Sequence, residues 1–160
     1  MTATLQREIK KKTPFELPEQ EAMLNLLRTA DHLQIRFIRL FRKFGLTPQQ
    51  YTVLRILRGE GNPLPILEIA SRMITVVPGI TGLIDRLEAA SLVERKRCEN
   101  DRRVIYVAIA PRALEILADI DQPLALLHKE TLGHMSPADL TSLSRLLEKA
   151  RHPHTLPSEP

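Results

Sequence analysis

The sequence predicts a mainly α-helical domain that carries one small β-hairpin. Over most of the chain, apolar residues recur every three or four positions, which is the period of an amphipathic helix. The period changes to two only around residues 92–109, where two short alternating runs flank a polar connector. Because one hairpin alone is marginally stable, we expect it to pack against the helices.

Length and composition are those of one globular domain. The chain has 160 residues, of which 43% are hydrophobic and 26% charged, and its formal net charge is +4. The mild basic excess is compatible with a polyanionic partner. One cysteine excludes an internal disulfide framework and a cysteine-based zinc finger. Two Tyr, four Phe and no Trp offer little for base stacking, so a duplex suits this chain better than a single strand.

No targeting or membrane segment is evident in the sequence. No apolar run approaches the roughly 18 residues that a membrane span requires. The basic residues 7–12 are not followed by the apolar stretch of a signal peptide. We therefore expect a cytoplasmic protein with no membrane partner.

The first half of the chain begins with a predicted flexible tail, residues 1–18, and a long helix over 19–44. This helix is apolar on two sides, which favours contacts with its own core and with a second chain, although a central helix in a monomer is the alternative. The sequence from Thr47 to Gln50 is a capping box with Pro48 at the first helical position, and predicts a helix that stops at Gly59 and Gly61.

The middle of the chain is predicted to hold an extended segment, a short helix, a turn, a longer helix and the hairpin. Their predicted bounds are 63–65, 66–73, 74–75, 76–90, and 92–98 with 104–109. The short helix offers Ile66, Leu67, Ile69, Ala70 and Met73 for burial. Thr75 is the expected N-cap of the longer helix, and Pro78 fits its first turn, where amides lack helical acceptors.

The last part of the chain is predicted to be helical over 111–134 and 136–151, followed by a tail at 152–160. Pro123 lies inside the first of these helices and should kink it. Ser136 and Pro137 repeat the signal of a cap followed by proline.

The order of these elements favours double-stranded DNA as the ligand. A short helix and a longer one across a tight turn form a helix-turn-helix, whose second helix can enter the major groove. A hairpin directly behind it is placed to reach phosphates or the adjacent minor groove. Two arginines at the predicted hairpin tip, Arg102 and Arg103, make this interpretation more specific.

Four sequence runs resemble the MarR family of transcriptional regulators, over about residues 20–150. They are Leu46-Thr47-x-x-Gln50-Tyr51-x-Val53-Leu54, Leu67-x-Ile69-Ala70-x-x-Met73, Ile80-Thr81-Gly82-Leu83-Ile84-Asp85-Arg86-Leu87-Glu88-x-x-x-Leu92-Val93-x-Arg95, and Asp101-Arg102-Arg103. The run from Ile80 to Arg103 is the specific part. Two positions depart from the family pattern: Ser91 stands where glycine is common, and Ala110-Pro111-Arg112-Ala113 replaces the usual Thr-x-x-Gly.

The resemblance implies a homodimeric winged helix-turn-helix protein that binds palindromic operator DNA as a repressor or activator. We expect no enzymatic activity and no cofactor, because the sequence has no Gly-rich phosphate loop, no nucleophile elbow and no metal-ligand pair. Many members of the family release DNA when a small aromatic or phenolic compound binds, or when a cysteine is oxidised. The implied organisation is a single domain at 19–151, with a DNA-binding lobe at 46–110 and dimerisation helices at 19–45 and 111–151.

Base readout is expected to be sparse and mostly apolar. The predicted second helix carries Asp85, Arg86 and Glu88, a net charge of −1, which is unusual for a helix lying on DNA. The side chains left for the groove are small or apolar and suit thymine methyl groups, and a threonine hydroxyl can also bond a base or phosphate. These candidates are Val76, Val77, Pro78, Thr81 and Gly82, with Asp85 as a weaker, charged candidate. The alternative is that Pro78 and Gly79 merely open a packed helix.

Phosphate contacts are expected mainly from the hairpin. Residues 92–103 hold five basic and three acidic side chains. The candidates are Arg72, Arg95, Lys96, Arg97, Arg102 and Arg103. The family resemblance implies that Asp101 orients the hairpin tip, that Arg103 reaches the minor groove with Arg102 second, and that Arg86 is a structural partner of Asp101. A solvated turn with an internal salt bridge is the alternative.

Sensing residues are weakly indicated. Cys98 beside Arg97 would suit a redox sensor, since positive neighbours lower a thiol pKa, but an idle strand cysteine is the simpler interpretation. The histidines lack the spacing of a metal site. A basic stripe on the first long helix would suit an anionic effector, although a solvated face is the simpler interpretation; it consists of Arg28, His32, Arg36, Arg39 and Lys43. A dimeric protein that regulates through a protein partner is the competing function, favoured by the acidic second helix.

Overall fold

The computed structural model describes residues 5–97 and 104–152, and it shows a mainly helical chain with a small antiparallel sheet. The helices of this described part are α1 (Leu5–Glu8), α2 (Pro18–Arg42), α3 (Pro48–Glu60), α4 (Ile66–Ser71), α5 (Ile80–Ala89), α6 (Pro111–Leu132) and α7 (Pro137–Arg151). The strands are β1 (Leu64–Pro65), β2 (Val93–Arg97) and β3 (Ile105–Ile109). The fold class predicted from the sequence is therefore confirmed.

Two helix starts follow the local capping signals. At α3, the Thr47 hydroxyl accepts from the Gln50 N–H at 3.2 Å, and the Gln50 side chain accepts from the Thr47 N–H at 2.9 Å. At α7, the Ser136 hydroxyl accepts from the Asp139 N–H at 3.2 Å. Each side chain satisfies amides that have no partner within the first helical turn. Both predicted starts are confirmed.

The sheet has the strand order β1-β3-β2, with both pairings antiparallel. In the hairpin, Val93 pairs with Ile109 and Arg95 with Val107. The predicted extended segment supplies β1, in which Leu64 pairs with the other side of Val107. Pro65 is tolerated there because an edge strand does not need every N–H for the ladder. The predicted two-stranded hairpin is thus part of a three-stranded sheet.

The contacts divide the chain into two compact units, one ending at Asp121 and the other beginning at Gln122. The core of the first unit is built from α3, α4, α5, the sheet and the first half of α6; its fully buried side chains include Val53, Leu54, Leu57, Ile69, Ile84, Leu87, Val107, Leu117 and Ile120. The second unit contains the remainder of α6, from Gln122 onward, and the whole of α7. Pro123 lies inside α6, which is continuous through it. The predicted functional boundary at 110/111 stays a prediction.

The longer helix of the helix-turn-helix begins later than predicted. It starts at Ile80 rather than Val76, and Gly79 precedes it in the left-handed conformation with φ of 75°. The predicted cap, Thr75, therefore lies several residues before the helix. Pro78 disfavours a helical conformation at the preceding residue, and the β-branched Val76 and Val77 have low helix propensity. Val76, Val77 and Pro78 consequently form the approach to α5 and not its first turn.

Two further expectations are corrected. The predicted flexible tail contains the helical turn α1, in which Leu5 is buried, and Glu8 pairs with Arg28 of α2 at 3.0 Å. The four residues of α1 are too few to show a periodic pattern, so the sequence did not predict this packing. Leu67, expected to be available for burial, is 81% exposed, because α4 turns Ile69 into the core instead.

Among the described residues, no helix is both long enough and apolar enough to span a membrane.

Candidate nucleic-acid interface

Helix α5 presents two different faces. Leu83, Ile84 and Leu87 are buried and hold the helix against the core. Thr81 and Asp85 are exposed and lie on the other side. This spacing of three and four residues is the expected amphipathic period. The face that was expected to be available to a ligand is therefore exposed.

The segment leading into α5 is uncharged and strongly exposed. From Met73 to Ile84 the chain carries no charged side chain. Ile74 is 82% exposed and Val76 89% exposed, which is unusual for large apolar residues. Pro78 is exposed as well, and Val77 is half-buried. The predicted readout residues thus form an exposed, mainly apolar surface.

Arg95 of β2 is bound to α5 by several contacts. Its guanidinium lies 2.6 Å from the Asp85 carboxylate and donates to the Glu88 carboxylate at 3.1 Å and to the Thr81 carbonyl at 3.2 Å. Its backbone N–H also donates to Glu88, at 3.2 Å. The Arg95 Nε is buried without a partner among the described residues. One side chain therefore ties the hairpin to the helix beside it.

These contacts change the role predicted for Arg95. A guanidinium held by two carboxylates and a carbonyl is not available for a phosphate, so the geometry argues against Arg95 as a direct DNA contact. The same contacts offset part of the acidic charge of α5, because Asp85 and Glu88 both bind Arg95 within the protein. Strand alternation was the signal that sequence reasoning missed, since it places Arg95 on the same face as the buried Val93.

Arg72 is also engaged by carboxylates. Its guanidinium lies 2.7 Å from Glu60 and 2.7 Å from Glu68. The hydrogen bond to Glu60, followed by the one to Glu68, raises the pKa of Arg72. The residue lines an open cleft at the end of α3 that Arg55 and Arg58 also line. A phosphate contact from Arg72 would therefore have to compete with these two exposed carboxylates.

The hairpin strand offers two cations that remain exposed. Lys96 and Arg97 lie at the end of β2, and both side chains are accessible. Arg86 is exposed on α5 and extends back along the helix towards Gly82. The predictions on Cys98, Asp101, Arg102 and Arg103 lie outside the described residues, and so does the predicted pairing of Arg86 with Asp101. Among the described residues, no group of His, Cys, Asp and Glu is arranged to hold a metal ion.

Comparison with known proteins agrees with this geometry. The model of the MarR family matches residues 46–105. A relative, the uncharacterized HTH-type transcriptional regulator YfiV of Bacillus subtilis (strain 168), is 33% identical over 116 residues, which cover 68% of this chain and 72% of that protein. The chain belongs to the MarR family. Members of this family are DNA-binding transcription regulators and not enzymes, and this chain is one of them.

Solved structures of MarR-like proteins share the fold. A MarR transcription factor from Planctomyces limnophilus is 39% identical with a TM-score of 0.65, and the match covers 84% of this chain and 98% of that one. BpsR of Bordetella bronchiseptica, whose DNA binding is regulated by 6-hydroxynicotinic acid, is 24% identical with a TM-score of 0.73. That match covers 86% of this chain and 97% of BpsR, and it supports the fold.

Proposed function

We propose that this MarR-family protein acts as a homodimer on a palindromic operator in double-stranded DNA, and so regulates transcription as a repressor or activator in the cytoplasm. In each protomer, the segment from Val76 to Gly82 faces the major groove, and the hairpin contacts phosphates and the adjacent minor groove. Two-fold symmetry would place the two recognition helices in successive major grooves, about 34–36 Å apart.

The observation that carries this proposal is the contact of Arg95 with α5. Without it, a helix with Asp85 and Glu88 would repel the phosphate backbone. Because Arg95 and Arg86 together balance the charges of Asp85 and Glu88, the exposed face of α5 can approach a polyanion. Lys96 and Arg97, which are exposed on the same strand, supply positive charge beside that face.

A dimer is supported by the exposed apolar surface of α2. Only Phe41 is buried over its 25 residues. Several large apolar side chains of the helix are between 40% and 58% exposed: Met23, Leu26, Leu27, Ile35 and Ile38. A cluster of large exposed apolar side chains on one helix is typical of an interaction surface, and burial against a second copy would remove these side chains from water.

Helix α7 gives the same indication independently. It has 15 residues, and none of them is buried. Leu146 is 54% exposed, and Leu126 of α6 is 52% exposed. An isolated helix of this length is marginal in water, so its stability must come from packing. A partner protomer would supply that packing.

We further propose that a small aromatic or anionic effector modulates DNA binding. The basic stripe of α2 is largely exposed, although Arg28 is paired with Glu8. His32, Arg36 and Arg39 are accessible and would suit a carboxylate or phenolate. Regulation of BpsR by a hydroxylated nicotinic acid gives a precedent for this ligand class within the fold. A library of aromatic acids and phenols, screened for release of the bound duplex, tests this part of the proposal.

Selection of bound duplexes from a random pool tests DNA recognition directly. The expected product is a palindrome whose half-sites are one helical turn apart. Affinity should fall steeply with added salt, because each neutralised phosphate releases counterions. Failure to enrich any duplex at low salt would overturn the proposed function.

Arginine variants then test which cations hold the duplex. Arg103→Ala and Arg97→Ala should weaken binding strongly and reduce its salt dependence, while the dimer stays intact. Arg72→Ala is the matched control and should change the affinity least, since the Arg72 guanidinium is paired with Glu60 and Glu68. Equal losses from all three substitutions would remove the hairpin from its proposed role.

The oligomeric state is tested separately by sedimentation equilibrium. Leu27→Glu and Leu146→Glu place charge on the exposed apolar faces of α2 and α7 and should produce monomers that bind the palindrome poorly. Leu67→Glu is the control, because that leucine is equally apolar and 81% exposed but lies on α4. A wild-type protein that sediments as a monomer would contradict the proposed dimer.

The competing function, regulation through a protein partner, loses its main support. It was favoured by the acidic charge of α5, but Asp85 and Glu88 both bind Arg95, which offsets part of that charge within the protein. A protein that enriches no duplex would bring this alternative back.

A further inference from the structure

Gly82 is a helical glycine that the protein's own packing does not require. It lies in the first turn of α5, and its φ is not in the left-handed region that favours glycine. A Cβ built at this position would meet only the Arg86 guanidinium, at 3.8 Å, which is an ordinary van der Waals contact. Among the described residues, nothing therefore prevents a larger side chain at Gly82.

Glycine at position 82 lowers the stability of the helix and provides no packing advantage among the described residues. Glycine is less favourable than alanine in a helix, because the unfolded chain has more conformations to lose. Where a glycine is not needed for a turn or for internal packing, close approach of another molecule is a remaining physical reason for it. The half-buried backbone at Gly82 lies on the face proposed to meet DNA, so the approaching molecule would be the duplex.

The residues around Gly82 define what this surface can recognise. Ile74 and Val76 are 82% and 89% exposed, Thr81 is exposed, and no residue from Met73 to Ile84 is charged. Arg86, whose guanidinium lies beside Gly82, is the cation at the edge of this surface. The side chains of Ile74, Val76 and Thr81 cannot make the bidentate hydrogen bonds by which arginine reads guanine or asparagine reads adenine. The apolar group that the major groove presents is the C5 methyl of thymine.

We propose that this chain recognises its operator mainly through thymine C5 methyl groups, which the segment from Ile74 to Gly82 contacts because Gly82 allows the helix to approach the bases closely. This inference rests on the proposed function and specifies its sequence preference. Half-sites should be rich in A·T pairs where they face α5, with thymines at defined positions.

Replacement of single thymines by deoxyuridine tests the inference on the selected duplex. The substitution removes one methyl group and leaves the charge and the Watson–Crick hydrogen bonds unchanged. Each contacted thymine should cost about fourfold in affinity, the equivalent of one buried methyl group. Thymines outside the half-sites serve as internal controls and should show no loss.

The variant Gly82→Ala tests the close approach by opposite effects on two measurements. The melting temperature should rise by about 1–3 °C, because alanine favours the helix. Affinity for the selected duplex should fall at least about fivefold, since the added Cβ would overpack the contact. Gly59→Ala is the matched control: Gly59 lies in the last turn of α3 with nothing within 4 Å of an added Cβ. It should raise the melting temperature and leave DNA affinity unchanged.

The outcomes separate this inference from the proposed function. A duplex that is enriched and bound, but is indifferent to every deoxyuridine substitution, would overturn thymine recognition while leaving DNA binding in place. Unchanged affinity of Gly82→Ala, together with a raised melting temperature, would remove the close approach. Only the absence of any bound duplex would count against the proposed function itself.

Discussion

The guanidinium of Arg95 lies 2.6 Å from the carboxylate of Asp85, and this contact joins strand β2 to helix α5. Arg95 is 22% exposed, whereas Asp85 is 57% exposed. Arg95 is therefore the more buried partner of this ion pair, and the Asp85 carboxylate lies closer to the solvent. Since α5 carries the proposed reading surface, the Arg95 side chain fixes the position of strand β2 beside that surface.

Replacing Arg95 should impair both stability and DNA binding. Arg95→Met keeps much of the apolar stem but leaves Asp85 and Glu88 without their cation. We expect the free energy of unfolding to fall by about 1–2 kcal/mol, as measured by urea denaturation. Affinity for the selected duplex should fall further than this loss alone accounts for, because two uncompensated carboxylates would then face the phosphates.

Two additional variants separate these effects. Adding Asp85→Asn and Glu88→Gln to Arg95→Met should restore part of the DNA affinity, because the repulsion is removed. Lys96→Met removes one cation from the same strand and should weaken binding without lowering stability. If Arg95→Met and Lys96→Met gave the same stability and the same affinity, the contact with α5 would have no special role.

Local signals predicted those parts of the fold that depend on neighbouring residues. The capping box at Thr47 and the cap at Ser136 have the expected hydrogen bonds. The change of period predicted the hairpin, because alternating exposure along a strand gives alternating apolar and polar residues in the sequence. Helix caps and strands can therefore be predicted from consecutive residues alone.

Features that depend on distant contacts were harder to predict. The true start of α5 reflects the left-handed Gly79 and the position of the helix on the core. The pairing of Arg95 with Asp85 joins two elements whose relative orientation is a property of the folded chain. The same holds for the candidate site: the apolar residues of its reading surface were identified, but the carboxylate partners of Arg72 and Arg95, two of the six cations assigned to phosphate, were not.

Substituting glycine for Ser91 should stabilise the protein. Ser91 follows α5 with φ of 56°, and its N–H donates to the Glu88 carbonyl at 2.8 Å while that of Leu92 donates to Leu87 at 2.9 Å. These two bonds form a Schellman cap, which favours glycine at this position. Ser91→Gly should add about 0.5–1 kcal/mol to the free energy of unfolding, since it removes left-handed strain at some entropic cost.

Ser91→Ala provides the control for this effect. Alanine also has a Cβ and keeps the left-handed strain, so it should not stabilise the fold. Urea denaturation of the three proteins makes the comparison. A Ser91→Gly protein no more stable than Ser91→Ala would show that the cap is not strained.

Arg58 and Asp121 should show measurable coupling between α3 and α6. The guanidinium of Arg58 bonds both carboxylate oxygens, at 2.9 and 2.7 Å, and the hydrogen bond to Asp121 raises the pKa of Arg58. Both side chains are partly exposed, so a double-mutant cycle with Arg58→Gln and Asp121→Asn should give about 0.5–1 kcal/mol. High salt should reduce this value. Purely additive single substitutions would contradict the coupling.

Tyr51 should make the fold less stable at alkaline pH. It is buried and stacked on Phe41 with ring centroids 4.2 Å apart, and burial raises the pKa of its hydroxyl, an effect that nearby Arg55 and Arg58 partly oppose. A folded-state pKa above that of the unfolded chain means that the stabilisation is complete below the unfolded value of about 10. This stabilisation is lost as the pH rises through the folded-state pKa.

Titration of the tyrosinate absorbance tests this prediction. The chain has two tyrosines and no tryptophan, so in the variant Tyr106→Phe the tyrosinate absorbance reports Tyr51 alone. We expect the titration midpoint of Tyr51 to be higher in the folded protein than in urea, and equal midpoints would contradict burial as the cause. Between pH values of about 9 and 11, the variant Tyr51→Phe should lose less stability than the wild-type protein.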